Sequence, residues 1–246
     1  MVNFVGAGCG ATDLITLRGK RLIEQADVLI YAGSLVNPEL LNYASPNCEI
    51  HNSAFMTLEE VISVMERSRE KNVVRLHTGD PSIYGAIREQ MDRLTALGIE
   101  YEICPGVSSF CGVASSLKAE YTLPDVSQTV IITRMAGRTS VPERESIEKL
   151  SAHHATMVIF LSAGMTAELS EKLISGGYSP ETPSAIVYKA TWADEKIIRC
   201  TVGTLAESAR KYGINKTALI TVGDFLGDDY SLSRLYDANF TTEYRK

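Results

Sequence analysis

Two glycine-containing stretches place small residues where a predicted strand leads into a predicted helix. The first, Gly-Ala-Gly-Cys-Gly-Ala at residues 6–11, fits the loose pattern G-x-G-x-x-G/A, which is typical of dinucleotide binding. The second, Thr-Gly-Asp-Pro at residues 78–81, follows an apolar run at residues 73–76 that predicts a buried strand. In a parallel sheet such corners lie at the carboxyl edge, where the backbone can approach a ligand closely. Both stretches therefore indicate small-molecule binding.

A nicotinamide dinucleotide would also require an acidic residue after the second strand, to bind the ribose hydroxyls. The predicted second strand, residues 28–31, is followed by Ala32, Gly33 and Ser34. Neither a carboxylate nor an arginine for a 2′-phosphate stands there. A nicotinamide-dependent oxidoreductase is therefore a weaker alternative, which the glycine pattern alone keeps open.

Asp80 is the candidate catalytic side chain of these corners. It stands between Gly79, which permits a tight turn, and Pro81, which stiffens it. Apolar residues recur at helical spacing over residues 83–94 and predict the helix that follows. Two interpretations are open: the carboxylate orients a bound ligand or stabilises a positive charge near it, or it only caps that helix.

The composition argues against several classes of protein. The 246 residues carry a formal charge of −6 and have a pI near 5.3, so no overall positive field favours nucleic acid. Five scattered cysteines without a C-x-x-C pair indicate neither a disulfide framework nor a metal site, and they suit a reducing cytoplasm. We recognise no signal peptide or transmembrane run. A non-catalytic module that binds small anions stays open.

The elements that position the corners alternate strand and helix through the first half of the chain, which predicts a parallel sheet. Residues 118–127 break this pattern and predict a domain boundary, giving domains 1–120 and 121–246. Farther on we predict a helix over residues 143–152, and residues 184–188 and 196–201 are typical of an antiparallel pair of strands. The predicted fold class is α/β, with a parallel-sheet N-terminal domain and a mixed-sheet C-terminal domain.

Four motifs, taken in order, resemble the tetrapyrrole methylase family, whose members use S-adenosyl-L-methionine to methylate corrin and sirohaem precursors. These are Val-Gly-Ala-Gly at 5–8 with Asp-Leu-Ile-Thr-Leu-Arg-Gly at 13–19, Thr-Gly-Asp-Pro at 78–81, Pro-Gly-Val-Ser-Ser at 105–109, and Tyr-Lys-Ala-Thr at 188–191. The resemblance covers essentially the whole chain. It implies a homodimeric methyltransferase with its active site in the cleft between the two domains.

The resemblance also implies which residues bind the methyl donor and the substrate. The donor-binding residues are Cys9, Thr78, Gly79, Asp80, Ile83, Ser108, Ser109, Leu161, Ser162, Ala190, Thr217 and Ala218. The implied substrate is a polycarboxylate tetrapyrrole, and forked guanidinium donors suit carboxylates. The substrate-binding candidates are Arg18, Tyr84, Arg134, Arg138 and Lys189.

Two departures from the family pattern bear on the substrate and on catalysis. Ala32 and Gly33 replace an aspartate that members acting on uroporphyrinogen tend to carry, which favours a later corrin precursor. The usual Gly-Pro-Gly-Asp is Gly-Cys-Gly-Ala at residues 8–11, so no carboxylate can act at that position. Methylation of a macromolecule by the same fold stays an alternative, although the acidic chain disfavours RNA.

Overall fold

The computed structural model describes residues 1–237 and 240–245, whose strands form two five-stranded sheets. The first sheet contains β1 (Val2–Gly6), β2 (Val28–Tyr31), β3 (Glu49–Asn52), β4 (Val73–His77) and β5 (Tyr101–Cys104), in the spatial order β3-β2-β4-β1-β5. Every pairing in it is parallel. The predicted parallel sheet is therefore confirmed.

Apolar side chains cover both faces of this sheet, as expected for parallel strands. Phe4 and Ile30 lie in one apolar cluster, and Val5, Leu29 and Leu76 lie in another. The helices that follow the strands are α1 (Leu17–Glu24), α2 (Leu58–Arg67), α3 (Arg88–Ala96) and α4 (Ser109–Leu117). Successive residues of β1, β2 and β4 thus bury alternate sides of the sheet.

The second sheet contains β6 (Val130–Arg134), β7 (Thr156–Phe160), β8 (Pro183–Tyr188), β9 (Lys196–Thr201) and β10 (Ala218–Val222), in the spatial order β6-β7-β10-β8-β9. Strands β6 and β7 are parallel, whereas the other pairs are antiparallel. Its helices are α5 (Ile147–Ser151), α6 (Thr166–Ser175) and α7 (Leu205–Lys211). The predicted mixed sheet and its antiparallel pair β8–β9 are confirmed.

The chain divides into two compact units. The first is Met1–Val113 with Lys189–Glu195, and the second is Ala114–Tyr188 with Lys196–Lys246. The connection between β8 and β9 therefore belongs to the first unit, although both strands belong to the second. A domain boundary at residue 120 stays a prediction. Among the described residues, no helix combines the length and the apolar character needed to cross a membrane.

Two predicted helices have different limits in the structure. The helix predicted from residue 83 begins only at Arg88, because Tyr84 and Ala86 have φ of 56° and 50°, outside the helical region. The helix predicted over residues 143–152 is a 3₁₀ turn (Glu143–Glu145) followed by α5. Ser146 between them is extended and caps α5 with its side chain, so one continuous helix cannot form.

Candidate active site

Three glycines meet where β1, β4 and β5 end. A Cβ added to Gly106 would lie 2.2 Å from the Gly79 carbonyl oxygen and 2.7 Å from Gly6 Cα. Both neighbours are backbone atoms, so a side chain cannot fit there without moving the chain. The Gly79 amide also donates to the Gly8 carbonyl oxygen at 2.8 Å. We call Gly6, Gly8, Gly79 and Gly106 the glycine edge of the first sheet.

Asp80 links two corners of the glycine edge by hydrogen bonds. Its Oδ2 accepts from the Gly106 amide at 2.8 Å, and its Oδ1 accepts from the Ser82 amide at 2.8 Å and from the Ser82 hydroxyl. Burial acts to raise the pKa of Asp80, but the hydrogen bonds from Ser82 and Gly106 outweigh it and hold the pKa below its ordinary value. The carboxylate is therefore ionised at neutral pH.

The alternative interpretation, in which Asp80 only caps the following helix, is wrong. Helix α3 begins at Arg88, and its N-cap residue Ile87 makes no side-chain capping bond. Asp80 instead closes a turn onto Ser82 and fixes the Gly106 corner.

The tip between Asp80 and α3 contains two non-glycine residues in the left-handed region, Tyr84 and Ala86. Gly85 lies between them, and a Cβ added there would lie 2.1 Å from the Pro81 carbonyl oxygen, so the tip folds back on itself. Tyr84, a predicted substrate residue, is 44% exposed, and Ile83 is half-buried. Such backbone strain is typical of functional segments, where surrounding contacts maintain it.

Two more residues that are predicted to bind the methyl donor lie against the Gly79 corner. A Cβ added to Gly79 would lie 3.4 Å from the Ser109 amide nitrogen and 3.5 Å from Ser108 Cα. Ser108 is buried, whereas Ser109 and Thr78 are half-buried. The structure thus brings Thr78, Gly79, Asp80, Ser108 and Ser109 together at the glycine edge.

Cys9 and Ala190 lie beside the first glycine stretch. Thr191 Oγ1 donates to Cys9 Sγ at 3.6 Å and accepts from the Ala11 amide at 3.0 Å. A Cβ added to Gly10 would lie 2.7 Å from the Ala190 carbonyl oxygen. Burial raises the pKa of the Cys9 thiol, so it stays protonated and is no nucleophile at neutral pH.

The remaining residues predicted to bind the methyl donor lie in the second unit, where β7 ends beside the start of its antiparallel neighbour β10. Leu161 follows β7 with φ 52° and is 63% exposed, and Thr217 precedes Ala218 of β10 with φ 54°. The buried Ser162 hydroxyl accepts from the Met135 amide at 3.0 Å. We call Leu161, Ser162, Thr217 and Ala218 the left-handed edge of the second sheet.

The side chains of the cationic residues predicted to bind substrate differ in how many of their N–H groups already make hydrogen bonds or ion pairs. Arg134 donates to the carbonyl oxygens of Met135, Thr139 and Ser140 at 3.2, 3.3 and 2.8 Å, so its guanidinium holds the loop after β6. Lys189 Nζ lies 2.7 Å from an Asp194 carboxylate oxygen.

Arg18 on α1 and Arg138 in the loop after β6 are exposed, which leaves both guanidinium groups open to solvent. Arg18, Tyr84 and Lys189 belong to the first unit, and Arg134 and Arg138 to the second. Their binding of substrate stays a prediction. Within the described ranges, no cluster of His, Cys, Asp or Glu side chains could hold a metal ion.

Sequence reasoning missed a buried polar group on β4, immediately before the glycine edge. Arg75 and His77 are 7% and 5% exposed, and Arg75 Nε donates to Oε1 of the buried Gln90 at 3.3 Å. Among the described residues, His77 Nε2 has no hydrogen-bond partner. Burial and then the Arg75 charge lower the pKa of His77 to about 3, so the ring is neutral. The sequence did contain a signal for this buried group, because two titratable residues stand in an otherwise apolar strand.

The arrangement of motifs along the chain also matches a known family. The family model of Tetrapyrrole (Corrin/Porphyrin) Methylases matches residues 1–206. The chain belongs to the tetrapyrrole methylase family. The family predicted from the four motifs is therefore confirmed, and with it the assignment of this tetrapyrrole methylase as a methyltransferase.

Three relatives bear on what this tetrapyrrole methylase does. A cobalt-precorrin-4 C(11)-methyltransferase from Methanocaldococcus jannaschii is 57% identical over 248 residues, which cover 100% of this chain and 96% of the relative. The crystal structure of a cobalamin biosynthetic enzyme, cobalt precorrin-4 methyltransferase, is similar with a TM-score of 0.90 at 47% identity, covering 92% of this chain and 96% of that one.

The third is a uroporphyrin-III C-methyl transferase from Thermus thermophilus in complex with S-adenyl homocysteine. It is similar with a TM-score of 0.76 at 25% identity, and the match covers 92% of each chain. Together with the two sheets, these likenesses confirm the predicted α/β fold class of this tetrapyrrole methylase.

Proposed function

We propose that this tetrapyrrole methylase transfers a methyl group from S-adenosyl-L-methionine to C11 of cobalt-precorrin-4, a step of cobalamin biosynthesis. The observation that carries the proposal is the 57% identity, along the whole chain, to a methyltransferase named for that reaction. The sequences Tyr-Ala-Gly-Ser-Leu-Val at 31–36 and Lys-Ala-Thr-Trp at 189–192 also resemble precorrin-4 C11-methyltransferases. Ala32 and Gly33, in place of an aspartate, argue against uroporphyrinogen as the substrate.

The glycine edge suits S-adenosyl-L-methionine, which when bound supplies a methyl group on a positively charged sulfonium. Thr78 and Gly79 would offer backbone groups to it, and the small side chains of Ser108 and Ser109 lie beside Gly79. Asp80 contributes a negative charge. Its carboxylate has about four acceptor positions, and three hydrogen bonds from Ser82 and Gly106 leave one for a ligand.

Catalysis by this chain then rests on positioning rather than on acid–base chemistry. Asp80 is too weak a base at neutral pH to remove a proton, the Cys9 thiol is protonated, and His77 is buried. Holding two reactants at near-attack distance can lower a barrier by about 7–11 kcal/mol without such groups. The residues of the glycine edge would bind and orient the donor.

The substrate is a tetrapyrrole rich in carboxylates, for which exposed guanidinium groups are suitable partners. Arg18 and Arg138 are exposed, and Arg138 lies in the loop whose carbonyl groups Arg134 binds. We therefore assign Arg18 and Arg138 to direct substrate contact, and the family resemblance adds Tyr84 and Lys189. For Arg134 we propose a contribution through the order of the loop that carries Arg138.

We also propose that this tetrapyrrole methylase is a cytoplasmic homodimer. All five cysteines are free, which suits a reducing cytoplasm. A homodimer is expected from the family resemblance, and sedimentation velocity of the purified chain tests it: a single species at the monomer mass would contradict it.

The reaction is tested by incubating the purified chain with methyl-labelled S-adenosyl-L-methionine and cobalt-precorrin-4, with metal-free precorrin-4 and uroporphyrinogen III in parallel. We expect one labelled methyl group at C11 of the cobalt substrate by mass spectrometry and NMR. Preferred labelling of the metal-free substrate would place the enzyme on the other route to cobalamin. Labelling at another carbon, or none, would contradict the proposal. Titrations with S-adenosylhomocysteine and NADH separate it from an oxidoreductase.

A further inference from the structure

Arg75 is a buried charge that forms no ion pair with the residues described in the structure. It lies on β4, the central strand of the first sheet, and is 7% exposed. Its guanidinium donates to two neutral acceptors, Gln90 Oε1 and the Ile30 carbonyl oxygen, each at 3.3 Å. Burial lowers the pKa of Arg75 to about 10, so the group stays charged at neutral pH. A buried charge with only neutral partners is costly, and an apolar residue would serve packing better.

Gln90 connects this charge to the strained tip. It is buried in the first turn of α3, and its Nε2 donates to the Ala86 carbonyl oxygen at 3.0 Å. An arginine can only donate hydrogen bonds, so Arg75 requires Gln90 Oε1 to face it. The amide nitrogen must then face Ala86. Arg75 thereby fixes which way the Gln90 amide points.

A continuous series of contacts leads from Ala86 to Asp80. Ala86 is left-handed, and Gly85 before it packs against the Pro81 carbonyl oxygen. Asp80, next to Pro81, is held at the other end by the Gly106 amide. The tip is thus fixed at two points, Asp80 on the glycine edge and Ala86 on the buried Gln90.

We propose that Arg75 and Gln90 are positioning residues for the methyl donor: they hold the tip, residues 80–87, in the conformation that binds it. This inference rests on the proposed function, since it takes the tip as part of the donor site. Neither side chain needs to touch a ligand. Their contribution is the orientation of the Ala86 carbonyl and, through Gly85 and Pro81, of the Asp80 carboxylate.

Gln90→Glu separates positioning from stability. The glutamate keeps an acceptor for Arg75 and gives it an opposite charge, and this new ion pair should offset the lost hydrogen bond to Ala86, so the stability of the folded chain should change little. It has no donor for the Ala86 carbonyl, which would now face a carboxylate oxygen. We expect S-adenosylhomocysteine to bind at least tenfold more weakly by isothermal titration, with an unchanged urea midpoint. Glu89→Gln, an exposed change on the same helix, is the matched control and should leave both quantities unchanged.

Arg75→Met is the second variant, because methionine fills the space without a charge and should give a stable chain. We again expect weaker binding of S-adenosylhomocysteine, with faster amide exchange of residues 82–87 in the ligand-free protein. Wild-type affinity in both variants would overturn the role of Arg75 and Gln90. Failure of the wild type itself to bind S-adenosylhomocysteine would instead contradict the proposed function, which distinguishes the two outcomes.

Discussion

The glycine edge and the left-handed edge meet a similar demand with different residues. In the first unit, sharp corners at the ends of parallel strands are made by glycines, whose missing side chains let backbone contact backbone. In the second unit, Leu161 and Thr217 make the corners in the left-handed region. An L side chain there costs about 1–2 kcal/mol. One edge is therefore built without side chains, and the other keeps its side chains at the expense of strain.

This difference teaches where ligand contacts are to be expected. Among the nine non-glycine residues of positive φ in the described chain, four are predicted ligand residues: Tyr84, Leu161, Lys189 and Thr217. Strain that is retained at such positions indicates a use for the side chain, because glycine would relieve it. At the glycine edge we expect backbone contacts to the methyl donor beside the Asp80 carboxylate, and at the left-handed edge we expect side-chain contacts.

The largest effect is expected for Gly106→Ala. The added Cβ would overlap the Gly79 carbonyl oxygen, so the corner must open, and we expect a loss of about 3 kcal/mol in the free energy of unfolding. Gly98→Ala is the contrasting control, because Gly98 has φ 64° but nothing within 4 Å of an added Cβ, so it measures the cost of a positive φ alone. Urea denaturation measures both. A loss at Gly106 no larger than the loss at Gly98 would show that the close contact between backbone atoms does not constrain this corner.

Asp80→Asn tests the hydrogen bonds between the corners. An amide nitrogen would face one of the donors from Ser82 or Gly106, so we expect a loss of about 1–3 kcal/mol in the free energy of unfolding at pH 7. Asp92→Asn removes only an exposed ion pair with Arg88 and should cost less than about 0.5 kcal/mol.

The effect of Asp80→Asn on the free energy of unfolding should depend on pH. The pKa of Asp80 is lower in the folded chain than its ordinary value near 4, so its contribution is complete above about pH 4 and is lost as the pH falls through the folded pKa. The difference between wild type and Asp80→Asn should therefore shrink in acid. A difference that is constant between pH 7 and pH 3 would contradict the account.

His77→Phe tests the polar group behind the glycine edge. The pKa of His77 is about 3 in the folded chain, below its ordinary value of 6.5. As the pH falls below 6.5, His77 therefore binds a proton in the unfolded chain but stays neutral in the folded chain. Wild type should then lose about 1.4 kcal/mol of stability per pH unit below pH 6, and the variant should lack this loss. Unfolding midpoints between pH 7 and pH 4.5 measure it. Parallel curves would show that His77 titrates normally.

Leu161→Gly should change stability least and sharpen the comparison most. Relief of the left-handed strain, offset by the greater freedom of glycine when unfolded, should raise the free energy of unfolding by about 0.5–1 kcal/mol. We expect donor affinity to fall at the same time. Asp125→Gly, at φ 61° outside the predicted site, should stabilise the chain similarly and leave affinity unchanged. Unchanged affinity in Leu161→Gly would remove Leu161 from the site.

Most of the fold was predictable because its signals are local. Apolar strands such as β4, glycine at three corners, and the Thr57–Glu60 capping box of α2 can all be recognised within a few residues. The family resemblance predicted the residues of both edges that bind the methyl donor. For the glycine edge there was also a physical reason in the sequence, because small residues at the end of a strand let the backbone approach a ligand closely.

Other features could not be predicted because residue type does not reveal them. Nothing about Leu161 or Thr217 indicates a positive φ. The spacing of apolar residues from Ile83 continues the period of α3 through a tip that is not helical. The bond between Arg75 and Gln90 joins a strand to a helix across the strained tip, and only tertiary packing sets its length.

The central claim is that the glycine edge binds the methyl donor. Amide hydrogen exchange of the full chain, followed by mass spectrometry with and without saturating S-adenosylhomocysteine, tests it most directly. We predict slower exchange in residues 79–84 and 106–109, together with residues 161–163 and 217–219 of the left-handed edge. Binding of the ligand with exchange at residues 79–84 and 106–109 unchanged would contradict the claim.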